Sequence, residues 1–338
     1  MEELNFTEYK KQLIAAGISE ENIYDFEKDR LKSFYQRYFD WCIDNLSDYS
    51  KTFGIEPSYF YYWDTQEINA EASLIRGKYI IRFSTAYMEM LHKKLGTKGK
   101  FIDKTDWTAF HNLQKVLPNS IEFLMFQAST IFTFYHEFAH LVQFKDRAFK
   151  RSEYPSNGNF TFENHLYEYD SDLNGCQFVS IYIQQFYNEL LPEEYRSLNN
   201  YKRLMYLGIS SIIITRLLFL NDQFFPYPPD IVDTSFYTKD KTHPHTYVRA
   251  KYIIEHYVRI AKANGVSIDF ADTVSNITII CNEFFKDSDI FKNFISGMQD
   301  NFDEISKYII ELHAAQKHNT SCISHKINLF GFTTKTKR

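Results

Sequence analysis

Glycine and proline are scarce in this chain of 338 residues, at 11 and 8, and there are only 3 tryptophans. So few turn-forming residues exclude a loop-rich fold and leave room for long helices. The four cysteines, Cys42, Cys176, Cys281 and Cys322, lie far apart, which excludes a CxxC zinc knuckle, a CxxC redox pair and a disulfide-stapled scaffold. Positive charge is not in excess either. With 38 Lys and Arg against 43 Asp and Glu the net charge is −5, and this argues against nucleic acid or anionic lipid as the main partner. No internal repeat and no low-complexity domain linker stands out. Met1 is followed by Glu2, Glu3 and a mixed polar run, not an apolar leader, so the expectation is a cytoplasmic protein with free thiols.

Aromatic residues are plentiful. They make up 18% of the chain, with 32 Phe and 25 Tyr, enough for one large core. Ser19 is a candidate helix cap, with Ile23, Phe26, Phe34, Tyr38 and Trp41 recurring at helical spacing towards a stop at Gly54. From Ile68 to Phe83 the β-branched and aromatic residues around Gly77 predict two short antiparallel strands. Ser84 then caps a helix through Leu95, ended by Gly96, and Asp106 caps another up to Leu117. Asn119 and Glu122 form a loose capping box before an apolar stripe running into Tyr135. A Ser/Asn/Gly-rich loop at Ser152–Asn159 separates this helix from a second one, Phe162 to Leu191.

The run Leu204–Leu220 approaches membrane length, but Ser210, Ser211, Thr215 and Arg216 interrupt it. A buried core helix accounts for it better than a membrane span. The loop Asn221–Thr246 carries Pro226, Pro228, Pro229 and Pro244, and further helices follow to about Gln316. The fold class expected is α+β, mainly α, with a small antiparallel sheet. A helical segment over 1–55 precedes a core over 56–262, a helical extension covers 263–316, and a frayed tail occupies 317–338.

The segment that carries chemistry is His136-Glu137-Phe138-Ala139-His140. On a helix, positions i and i+4 share a face, so both imidazoles can reach one metal ion. Glu137, one step round, is placed to take a proton from water at that ion. The helix is apolar before and after the motif, and polar groups embedded there must be satisfied by something. A third histidine in the HExxHxxGxxH manner is excluded, because Gln143 and Asp146 occupy those positions.

The next helix offers Glu168 and Asp172 on one face. Glu168 would be the third ligand, and Asp172 would hold the free ring nitrogen of a ligand histidine, foremost His136. His165, three residues before Glu168, is the rival ligand. His243 and Arg249, around the stiff His243-Pro244-His245 loop, are candidate donors to an oxyanion, and His245 is a further histidine near the site. Lys78, Tyr79, Ile80 and Ile81 lie on a strand that either pairs an extended peptide substrate from a sheet edge or simply covers the core.

Taken together, HEFAH, then EYDSD, then Thr242-His243-Pro244…Arg249 resemble the gluzincin metallopeptidases, especially the CAAX-processing and HtpX-like group. The resemblance covers about residues 68 to 260. Within that group the soluble phage-exclusion peptidases of the Lit family look most similar, with matches at Thr242, His243, Pro244, Tyr247 and Arg249. It implies a zincin-like core binding one Zn²⁺ through His136, His140 and Glu168. It also implies Glu137 as the base and His243 with Arg249 as transition-state donors. Ser171 departs from the family's usual Ala, and the obligatory membrane spans of the CAAX-processing branch are missing. The function expected is a zinc-dependent endopeptidase acting on a cytoplasmic protein, with phage exclusion through a translation factor as the form that the resemblance suggests. The rivals are a metal-stabilised or inactive interaction module and a membrane-associated quality-control peptidase.

Overall fold

A computed structural model describes residues 5–96, 108–146, 160–221, 235–286 and 288–330. The expected cap Asp106, the loop Ser152–Asn159 and the prolines Pro226, Pro228 and Pro229 lie outside the described residues. The fold is α+β and mainly α, with one small sheet. Helices α1 (Phe6–Ala15) and α2 (Lys32–Phe53) precede strand β1 (Ser58–Trp63) and the hairpin β2 (Ala70–Ile75) and β3 (Lys78–Ser84). Then come α3 (Thr85–Leu91), α4 (Thr108–Val116), α5 (Ile121–Asp146), α6 (Phe162–Gln185) and α7 (Leu198–Leu220). The chain continues through α8 (Thr246–Ala263), α9 (Phe270–Phe284), α10 (Ile290–Asp300), α11 (Phe302–Gln316) and α12 (Ile323–Phe330).

Local chemistry explains most boundaries. The Ser84 hydroxyl accepts from the Tyr87 amide and starts α3, and Thr161 does the same for α6 through Asn164. Gly54 ends α2 as expected. The cap of α5 falls on Ser120, which accepts from the Phe123 amide, one residue beyond the expected Asn119. Ser19 makes no capping bond and opens only a single 3₁₀ turn, Glu20–Asn22, so the long N-terminal helix begins at Lys32 instead. The hairpin turns through Arg76 and Gly77 with φ of 51° and 77°, the pair of left-handed residues that matches the twist of two antiparallel strands.

Two expectations about the sheet need correction. It is mixed rather than antiparallel, because β1, an aromatic run not read as a strand, pairs parallel with β3. The order is β1-β3-β2, so β3 is central. Lys78, Tyr79, Ile80 and Ile81 therefore sit on a strand already hydrogen-bonded on both sides and cannot receive an added peptide strand. The sheet's edges are β1 and β2.

Helix α7 is long and apolar enough to span a membrane by length and composition, but 78% of its most apolar stretch is buried against other elements. One contiguous hydrophobic core runs from Phe6 to Ile323 and joins the expected N- and C-terminal segments to the middle of the chain. Within the expected tail, α12 packs on α5 and α6. All four cysteines are buried free thiols.

The pairing of α5 with α6 positions the site. At Gly175 an added Cβ would come within 2.7 Å of the Phe132 carbonyl oxygen and 3.0 Å of its ring. Only glycine lets the two backbones approach this closely, and Glu168 and Asp172 are thereby carried up to the histidines of α5.

Candidate metal centre

His136, Glu137 and His140 lie on the buried middle of α5, and Glu168 and Asp172 on the buried middle of α6. Ligating atoms of His136, His140 and Glu168 all lie within 4.8 Å of one another. The His136 and His140 Nε2 atoms are 3.1 Å apart. Glu168 Oε1 is 3.3 Å from His140 Nε2, and Oε2 is 3.6 Å from His136 Nε2. Donors each about 2.1 Å from a tetrahedral zinc sit roughly 3.4 Å from one another, so the three separations fit one such ion.

The short contacts around the two rings assign which nitrogens carry protons. His136 Nδ1 lies 2.9 Å from Asp172 Oδ1, and a nitrogen that close to an ionised carboxylate must be the protonated one. His140 Nδ1 lies 2.9 Å from Gln143 Oε1. The Gln143 amide nitrogen donates to Asp170 Oδ2 (3.1 Å), Ser171 Oγ (3.1 Å) and the Tyr167 carbonyl (3.3 Å), so its oxygen must face the ring as an acceptor. Both histidines thus point an Nε2 lone pair at the other and at a carboxylate. Lone pairs cannot hydrogen-bond each other, and the arrangement calls for a cation in their midst. A proton is a poor substitute, because burial pushes the His136 pKa down to about 4, against the pull of Asp172 and Glu168. The residues present therefore fit a divalent metal ion.

Asp172 is the hub behind His136. Arg249 grips it with Nε on Oδ2 and Nη2 on Oδ1, both at 2.7 Å. Arg216 Nη2 adds a contact at 2.9 Å and the Tyr252 hydroxyl another at 2.5 Å. Burial alone would raise the carboxyl's pKa, but Arg249 and Arg216 overcome it and hold the group far below the usual carboxylate range. Glu168 follows the same pattern, lowered well below its ordinary value by His243 and Arg249 despite burial. Arg249 Nη1 lies 3.1 Å from Glu168 Oε2. Expected as an oxyanion donor, Arg249 spends its guanidinium on these two carboxylates and holds them in place.

His243 is half-buried, with Nε2 3.5 Å from Glu168 Oε1 and Nδ1 3.0 Å from the Thr242 hydroxyl. Burial lowers its pKa. His165, the rival ligand, is turned away: Nδ1 meets the Tyr308 hydroxyl and Nε2 the Lys241 carbonyl, each at 2.8 Å. His245 caps α8 by accepting from the Tyr247 amide. Neither joins the centre.

A cavity of about 250 Å³ opens beside the cluster, walled by His136, Glu137, Glu168, Arg216 and His243 and also by Asn69 and Ala70, where β2 begins. Sequence reasoning missed three contributors, Arg216, Gln143 and Tyr252. Of these only Arg216 left a trace, as a charge inside an otherwise apolar helix. No protein-family model matches the chain, and no curated protein or solved structure does, so the resemblance to metallopeptidases rests on the motif residues themselves.

Proposed function

We propose that the protein is a zinc-dependent peptide hydrolase, with His136, His140 and Glu168 as ligands. The observation that carries the reading is the convergence of two imidazole lone pairs and one carboxylate beside a cavity lined by His136, Glu168 and Glu137. Three protein donors with an open side towards solvent are the pattern of catalytic rather than structural zinc. An ion there would supply Lewis acidity towards a carbonyl and make water acidic enough to react at neutral pH.

The chain's own residues do the rest. Glu137 removes the proton from the attacking water and passes it to the departing amine, as base and then acid. His243, on the cavity wall, donates to the oxygen of the scissile carbonyl as charge develops on it. Asp172, held by Arg249, Arg216 and Tyr252, keeps His136 in the ligating tautomer. An extended peptide would lie along β2, the sheet edge whose first residues border the cavity. A protein substrate, the cytoplasmic setting and a role in phage exclusion belong to this reading through the motif resemblance.

Glu137→Gln tests it. The variant should keep zinc and lose roughly 10²- to 10⁴-fold in turnover, measured as new N-termini released in a host-cell lysate by the parent and the variant. Cleavage at the parental rate by the variant would contradict the assignment. Zinc-loaded parent protein that releases no new N-termini would point instead to a metal-stabilised binding module.

A further inference from the structure

The two ligand histidines are backed in different ways, and the support behind His140 leads out of the site to the far end of the chain. Gln143 Oε1 is the nearer partner of His140 Nδ1, with the Ser171 hydroxyl 3.3 Å from the same nitrogen, and it faces the ring because the amide nitrogen is drawn to Asp170, Ser171 and the Tyr167 carbonyl. Among these acceptors Asp170 carries the charge. It is fully buried, and three of its donors come from the C-terminal segment. Gln316 Nε2 donates to Oδ1 at 2.8 Å, the Ile323 amide to Oδ2 at 2.6 Å and the Ser324 amide to Oδ1 at 3.4 Å. The first turn of α12 therefore closes on Asp170, where backbone donors and the helix dipole both favour a carboxylate. Lys326 fastens the same helix to Asp146 at the end of α5, at 2.8 Å.

We propose that α12 is a positioning clasp for the metal ligand His140, acting through Asp170 and Gln143. The inference rests on the metal-centre reading above. With α12 docked, Asp170 is held in place by its peptide donors and in turn fixes the polarity of the Gln143 amide. With α12 released, Asp170 loses those donors and shifts towards water, which leaves Ser171 and the Tyr167 carbonyl to orient the amide and makes its reversal less costly. A turned amide presents N–H to His140 Nδ1, which must then accept, and the ring proton moves to Nε2, where the metal would bind. Release of a helix more than 180 residues away in the chain thus weakens metal binding without touching a ligand. Gln143 and Asp170 are positioning residues in this scheme, and the C-terminal segment is the element whose docking tunes the centre.

The test uses the full-length protein, with zinc affinity measured by chelator competition and α12 docking by amide hydrogen exchange. Gln143→Leu removes the link at His140 and should raise the zinc dissociation constant by about 10- to 100-fold. Gln316→Leu removes one side-chain donor. Ile323→Pro removes the shortest peptide donor at the first helical position, where proline suits the backbone. Both should speed exchange across residues 324–326 and raise the dissociation constant in the same direction as Gln143→Leu, by a smaller factor. Two results overturn the clasp: zinc binding by Gln143→Leu within twofold of the parent, or faster exchange in α12 with unchanged zinc affinity. A parent protein that binds no zinc defeats the metal-centre reading itself, and is distinguishable from both.

Discussion

The supports behind His136 and His140 make an instructive contrast. Behind His136 stands a charged cluster: Asp172 receives two arginines, a tyrosine and the imidazole, all from residues of α5, α7 and α8. Behind His140 stands a neutral amide, Gln143, whose orientation depends on a carboxylate satisfied largely by the C-terminal segment. The charged support is over-determined, since five contacts converge on one carboxylate that has about four lone-pair directions. The amide support is just sufficient, because an amide can reverse while a carboxylate cannot. One histidine is anchored within the helical core, and the other through an element at the chain's end.

The contrast is most strongly tested at its charged end. Asp172→Asn would leave Arg249 and Arg216 facing each other with their shared counter-charge gone, in a buried setting. Removing one partner of such a group costs about 3–5 kcal/mol. Chemical denaturation should show a loss of that order, together with zinc release. A stability change below ~1 kcal/mol would mean that the arginines find other partners and that the charged support is dispensable.

Acid separates the two sides less drastically. Asp172 and Glu168 are both held well below the ordinary carboxylate range and remain ionised in mild acid. On the side facing α11, His165 is buried between Tyr308 and the Lys241 carbonyl, and burial lowers its pKa from 6.5 to about 4. The unfolded chain then binds a proton that the folded chain does not, at any pH between those two values. Stability from this group is present above about pH 6.5 and declines as the pH falls towards 4, by at most about 3 kcal/mol. His136 is lowered in the same window, so the informative quantity is a difference between proteins. His165→Gln should show a shallower loss of stability between pH 6.5 and 4 than the parent. Equal slopes would mean that His165 is protonated at no cost.

The two supports also differ in how far they can be read from sequence. The HEFAH and ExxxD pairs are legible because their members sit one turn apart, and a helix brings such positions together whatever surrounds it. The Asp172 contact with His136 follows from the same geometry once the two helices face each other. Arg216 and Tyr252 reach Asp172 across 44 and 80 residues, and the Ile323 amide reaches Asp170 across 153. No local period encodes such distances. The sheet shows the same limit. The β2–β3 hairpin is marked by its turn, whereas the parallel pairing of β1 with β3 is set by tertiary packing and moves Lys78–Ile81 from an edge to the centre. Arg249 was legible as a residue of the site but not in its role, because its carboxylate partners are fixed only when α8 packs on α6.

Both supports matter only if His136, His140 and Glu168 hold one divalent cation, and metal analysis of the purified protein probes this without any substrate. One equivalent of zinc per chain is expected by elemental mass spectrometry, lost in His140→Ala with the helical content unchanged. A parent protein that carries no zinc, and takes up none from a micromolar supply at neutral pH, would contradict it.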